Sequence, residues 1–245
     1  MKTSNKLLVF LFLAMLAFLG AIHLGLYSQL KKGHIISSIR PTDEWIRPYK
    51  GKSPSVVYLE GNINVTLVPS DSFFVEYRQT DAGYISCKPV NEDSVVIRGN
   101  GGSFTNAHDA YHFYSDLPWV SVHMGSHTGI RLKGLLALLK GNDRPGSFQA
   151  HVTATDTQLW IGESYRTNDT NYPSQYYDSL QIEGKNIDLI LHSNAHIRHL
   201  AANLDASSEV NDQQAQIETI SIHYTPQTKI NLTGLNLDKL NKSTR

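Results

Sequence analysis

Cysteine is nearly absent: Cys87 stands alone in 245 residues. A single thiol excludes an intramolecular disulfide, a four-cysteine zinc site and a CxxC redox pair. No cysteine follows the N-terminal apolar run either, where a bacterial lipoprotein anchor would need one. In the run Tyr84-Ile85-Ser86-Cys87-Lys88 the thiol reads as a small apolar strand residue. Acidic residues are missing from the first 32 positions, which hold Lys2, Lys6, Lys31 and Lys32, so the remainder carries 18 basic and 22 acidic groups, a net charge of −4. A mildly acidic body argues against phosphate-backbone binding, which needs a basic face, and nucleic acid is not an expected partner.

Catalytic signatures are also missing. Gly125-Ser126-His127-Thr128-Gly129 resembles a nucleophile elbow only superficially, because no strand-to-helix frame surrounds it. Gly99-Asn100-Gly101-Gly102 is not followed by a helix or by Lys-Ser/Thr, so it does not cradle phosphate. No cofactor is implied, and no catalytic residue is assigned.

Long apolar runs are absent with one exception. Leu7 to Tyr27 is 21 residues without a charge. At helical rise it measures about 31 Å, the thickness of a bilayer's hydrocarbon core. It is too long for the core of a cleaved signal peptide and lacks a small-x-small cleavage site, so residues 7–27 are expected to remain as a single transmembrane signal-anchor helix. The start amine, Lys2 and Lys6 outweigh Lys31 and Lys32, which makes residues 1–6 cytoplasmic and the C-terminal part exported, to the periplasm or the cell exterior. Residues 28–54, with Pro41, Pro48, Pro54 and scattered basic groups, read as a juxtamembrane stalk.

From residue 55 to 245 the pattern turns to period two, the signature of half-buried strands. Val57 and Leu59, then Ile63, Val65 and Leu67, then Phe73, Val75 and Tyr77 alternate with polar neighbours, and turns such as Asn91-Glu92-Asp93 separate the runs. Leu135 to Leu139 is too short to span a membrane and reads as a buried turn or strand. Further on, Leu180/Ile182, Ile187/Leu189, Ile220/Ile222 and Ile230/Leu232 form short pairs, separated by turns such as Glu183-Gly184-Lys185-Asn186 and Thr233-Gly234, with Leu235, Leu237 and Leu240 completing the series. Strands of two to four residues recurring every 7 to 12 positions predict a mainly β chain, a β-solenoid of stacked coils.

Two stretches carry a family resemblance. Val57-Tyr-Leu-Glu-Gly-Asn-Ile-Asn-Val-Thr-Leu67, followed by Ser94-Val-Val-Ile-Arg98, resembles the opening of the auto-transporter adhesin head domain (the GIN domain) of Bacteroidetes envelope proteins. Leu180 to Leu189, Ile217 to Tyr224 and Lys229 to Leu237 resemble its repeating coils. Turns at His192-Ser193-Asn194 and Ser207-Ser208-Glu209 depart from that family's Gly-Ser-Gly turns, and residues 103–145 have no place in its pattern. The resemblance implies an envelope location and an adhesin-like domain.

Eleven histidines raise the question of metal binding. His192, His196 and His199 would share a face if helical, but a strand-turn-strand path splays them, and His108, His112, His123 and His127 show no ligand spacing either. No metal ligand is assigned, and the histidines are expected to titrate independently near 6.5. The leading reading is therefore a non-enzymatic, membrane-anchored binding or structural domain, with an envelope protein or a glycan as partner. The alternative is an envelope carbohydrate-active enzyme using carboxylates with Trp119, Trp160, Tyr165, Tyr172, Tyr176 and Tyr177. A third reading is a signalling or assembly partner acting through the membrane helix.

Overall fold

The computed structural model describes residues 44–100, 118–162, 173–205 and 207–243, with Met15 besides. The chain divides into two units, Met1–Asp43 and Glu44–Arg245. The anchor expected at 7–27 lies outside the described residues except for Met15, which is helical. Among the described residues no helix is long and apolar enough to cross a membrane.

Alternating residues become strands as the period-two pattern dictates, beginning with β2 (Val56–Glu60), β3 (Asn64–Pro69), β4 (Phe73–Arg78), β5 (Ile85–Asn91) and β6 (Ser94–Gly99). The sheet starts earlier than the sequence suggested, since β1 (Trp45–Gly51) falls inside the stretch expected as a stalk and pairs antiparallel with β4. Its apolar residues Ile46 and Tyr49 pack on the core, but a bulge sets them three apart, so they escape a search for strict alternation.

The chain continues through β7 (Trp119–Met124), β8 (Gly129–Lys133), β9 (Leu136–Leu139), β10 (Gln149–Ile161), β11 (Gln175–Leu191), β12 (Ala195–Leu204), β13 (Glu209–Asp212), β14 (Gln216–Tyr224) and β15 (Lys229–Asn231) to a helix, α1 (Gly234–Ser243). The fold is mainly β. Two expectations need correction. The pairs Leu180/Ile182 and Ile187/Leu189 belong to one strand of 17 residues, and β10 runs for 13. Leu235, Leu237 and Leu240 lie in α1, and only Leu240 among them is buried.

Parallel pairing aligns these strands into rungs. One stack follows the order β6, β2, β8, β10, β11, β12, β14. The second follows β7, β3, β9, β10, β11, β13, β15. Spatial order departs from chain order at one end, where β6 and β7 lie outside the earlier β2 and β3 before the chain returns at β8. Because side chains alternate, in-register pairing lines like residues into columns. Val95, Val57, Ile130, Val152, Ile182, Ala202 and Ile222 make one such column, all of them 3% exposed or less. Val120, Val65, Ala137, Leu159, Leu189 and Val210 make a facing one, fully buried, that ends on half-buried Ile230.

The passage from one stack to the other is a corner with backbone in the left-handed region: Gly61, Gly134, Asp156, Asn186 and Ser207 have φ between 50° and 90°. Glycine, asparagine and aspartate tolerate this conformation best, and here two of them also bond between rungs. Asn186 donates its amide to Asp156 at 2.7 Å, while its backbone N–H reaches Asp205 at 3.1 Å. A corner that bends without breaking the ladder is why β10 and β11 stay continuous strands where the sequence suggested separate ones.

The outward side of the second stack is not uniformly solvated. Leu136, Leu138, Trp160 and Ile190 point outward by alternation, yet each is buried, as are Gln158 and Asp188. Two edges of the sheet are β1 and β5, each with a proline, Pro48 and Pro89, and β14 and β15 are its edges at the other end. At the far end α1 packs against β14, and Asp212 joins it to the last rung.

Candidate functional site

Before the first stack begins, the later rungs carry a short additional face: Gln175 to Asp178 of β11, Ala195 to Arg198 of β12 and Gln216 to Glu218 of β14. Inward residues Tyr177, Ile197 and Ile217 are buried. Their outward neighbours recur every 20 residues, Tyr176, His196 and Gln216 in one column and Asp178, Arg198 and Glu218 in the next.

Two elements wall this face. On one side the turn at Asn142 to Ser147 attaches by a two-way backbone bridge between Asn142 and Tyr176, at 2.8 and 3.1 Å. On the other, Lys239 of α1 donates its ammonium to the Ile217 carbonyl. Between them lies a groove of about 850 Å³, within the size range of small-ligand sites.

On the floor the Tyr176 and His196 rings stack with centroids 4.8 Å apart. Arg198 stands between two carboxylates, donating to Asp178 at 3.2 Å and approaching Glu218 at 3.8 Å. Gln149 donates its amide to the other oxygen of Asp178 at 3.3 Å. The Gln149 and Arg198 hydrogen bonds hold the Asp178 carboxyl below the usual carboxylate range. A carboxyl so held is a poor general acid, which paired-carboxylate hydrolysis needs with a raised pKa.

A smaller hollow of about 410 Å³ adjoins this groove, lined by Ser55, Ser126, His127, Thr128, His151 and Gln181 among others. Gln149 and Ser179 line it too, so the two hollows meet at the Gln149–Asp178 hydrogen bond.

The candidate residues from the sequence disperse. His192 lies at the outer end of the second stack, stacked toward Trp160 at 6.3 Å; His196 is in the groove; His199 faces the first stack's exterior and bonds Thr219 at 2.7 Å. His108, His112, Tyr165 and Tyr172 lie outside the described residues. His127 lines the smaller hollow, and His123 stacks on Phe74 at 4.0 Å with Glu76 at 3.4 Å. Of the six aromatics weighed for an enzyme, Tyr176 alone has its ring on the groove floor among the described residues; Tyr177 points inward and Trp119 bonds Thr66 at 3.0 Å. Cys87 is half-buried opposite Ile97 in the β5–β6 pair, and burial pushes its thiol up to about 11, which disfavours the thiolate a nucleophile needs.

No protein-family model matches the chain, and no curated protein matches it. Solved structures do align over much of it. A putative adhesin from Parabacteroides merdae ATCC 43184 is 9% identical, with a TM-score of 0.34, covering 76% of this chain and 92% of that one. A putative lipid binding protein from Parabacteroides distasonis ATCC 8503 is also 9% identical, with a TM-score of 0.35, covering 76% and 80%.

Two expected results follow from the buried polar groups. The Tyr177 hydroxyl donates to the Leu139 carbonyl at 2.8 Å and accepts from the Gly162 N–H at 3.0 Å, both buried. Tyr177→Phe should therefore cost about 1–3 kcal/mol in urea unfolding, with the groove otherwise intact. An unchanged midpoint would mean that the hydroxyl is not needed to tie β9 to the turn after β10.

The second concerns pH and corrects the expectation of independent histidines. Burial lowers the pKa of both His123 and His192, which favours the neutral ring in the folded state. As pH falls through about 6.5 the unfolded chain takes up the proton first, so stability drops there and levels off below the folded-state value. Melting temperature followed from pH 7.5 to 5 should fall, and His192→Gln should flatten the decline. An identical decline in the variant would remove His192 from the account.

Proposed function

We propose that this chain is a non-catalytic, adhesin-like binding protein of the cell envelope. In this reading residues 7–27 anchor it, residues 1–6 stay in the cytoplasm, and the part from residue 44 onward is exported as a β-solenoid that presents the groove at Tyr176, Asp178, His196 and Arg198. The rungs aligned in parallel, with aliphatic columns inside, support the solenoid. The uncharged run of 21 residues and the lysines before it support the anchor and its orientation.

One observation carries the binding reading. The groove is walled on two sides, and Arg198 and Gln149 hold Asp178 below the usual carboxylate range where acid catalysis would need it raised. Such a floor recognises a ligand without transforming it. The test is hydrogen-exchange mass spectrometry on the full chain, in a detergent without sugar headgroups, with and without an envelope extract from the source cells. Slowed exchange is expected at residues 175–178, 195–198 and 216–218. Slowing that is absent, or that falls only elsewhere on the sheet, would remove the groove as the contact surface. Membrane fractionation with N-terminal sequencing tests the anchor, and a mature soluble protein starting near residue 28 would refute it.

A further inference from the structure

We infer that the ligand of this groove is a neutral glycan chain long enough to occupy both hollows, an inference that rests on the groove being the contact surface. The charges argue for neutrality. Asp178, Arg198, Glu218 and Lys239 bring two charges of each sign into the larger hollow. An anionic ligand would meet Asp178 and Glu218, and a cationic one Arg198 and Lys239, so a ligand with net charge of either sign leaves like charges opposed. The smaller hollow shows no Asp, Glu, Lys or Arg in its described lining; hydroxyls, amides and imidazoles predominate.

The hydrogen-bonding groups argue for a polyol. A carboxylate accepts through two oxygens, a guanidinium donates through a planar fork, and a primary amide does both. These are the groups that meet adjacent hydroxyls two at a time. In the larger hollow they are Asp178, Arg198, Glu218 and Gln216, and in the smaller one Gln149 and Gln181. The stacked Tyr176 and His196 rings add an apolar edge beside them, suited to the C–H groups of a sugar ring.

The junction argues for a chain over a single sugar. Gln149 lines the smaller hollow and bonds Asp178 of the larger, so a ligand crossing from one to the other passes over a pair already fixed in place. A lone ring reaches the groups of one hollow only, whereas a linear oligomer reaches those of both.

Binding of neutral hexose oligosaccharides of one, three and six units to the full chain, by isothermal titration calorimetry in the same detergent, tests this. Affinity should rise with length, at least ten-fold from one unit to six. Tyr176→Ala in the larger hollow and Gln181→Ala in the smaller should each weaken the six-unit ligand ten-fold, with melting temperatures recorded to show both variants folded. Equal affinity for one and six units, no effect of Gln181→Ala, or tighter binding of sialylated or amino-sugar oligomers would overturn the inference. The extract separates this inference from the reading beneath it. Groove protection that survives protease digestion and disappears after periodate cleavage of vicinal diols supports a glycan. Protection that periodate spares and protease abolishes overturns the glycan and leaves the groove standing as a contact surface. An extract that never protects the groove overturns both.

Discussion

Leu189→Asp is expected to cost about 3–5 kcal/mol, enough to leave little folded protein. Leu189 is fully buried in the column that runs through Val65, Ala137, Leu159, Val210 and Ile230. The substitution removes its apolar contacts and places a carboxylate between Leu159 and Val210, whose side chains offer it no hydrogen bond. Chemical denaturation of the full chain measures the effect. The comparison substitution has to come from the first stack. Asp188, the outward neighbour of Leu189, is only 7% exposed and so is no solvent-facing control. Glu183, 58% exposed on its side chain, is the suitable control, and Glu183→Ala should shift stability by less than about 0.5 kcal/mol. Equal damage from Leu189→Asp and Glu183→Ala would show that alternation does not set the core.

Asp212→Ala is the second large expected loss. Its carboxylate, 8% exposed, accepts from the Ala215 N–H at 2.8 Å, the Thr233 N–H at 3.0 Å, the Thr233 hydroxyl at 2.6 Å and the Asn236 amide at 2.8 Å. Three of these four donors belong to the segment that starts α1, so one carboxylate fastens the helix to the end of β13. Truncation leaves the donors without their acceptor and should cost about 3–5 kcal/mol. Asp212→Asn keeps one oxygen and should lose less. Hydrogen exchange locates the damage: faster exchange in α1 and β14, with β10 and β11 unchanged, is expected. A loss spread evenly over the sheet would contradict a fastening role.

The strands and their inward faces were legible in the sequence because alternation is a direct consequence of strand geometry. Ile187, Leu189, Ile220 and Ile222 are buried where the alternation put them, and Leu136 to Leu139 form a buried strand. What escaped was the joining of strands. Gly184, Lys185 and Asn186 have the composition of a turn, and only the positive φ of Asn186, supported by Asp156 and Asp205 from adjacent rungs, shows the chain bending while its ladder continues. The helix escaped because Leu235, Leu237 and Leu240 fit a period of two at their start, and its anchor at Asp212 is more than 20 positions away. The groove was hidden for a related reason, since its floor residues are neighbours only across rungs. A self-comparison at an offset of 20 would have brought Asp178, Arg198 and Glu218 into line, beside Leu180, Leu200 and Ile220.

The prolines at the sheet edges have a bearing on how such a molecule can change size. Pro48 and Pro89 each remove a donor from an edge that would otherwise template another strand, and α1 occupies the opposite end. Among the described residues, two edges of the sheet are thus poor templates for another strand, while β15 at the other end pairs only with β13. Growth in the interior would leave all of these edges as they are. Duplicating one 20-residue unit between β11 and β14 would preserve both specialised ends, extend the aliphatic columns in register and add one more repeat to the groove floor. Insertion in the middle thus changes reach without touching the ends.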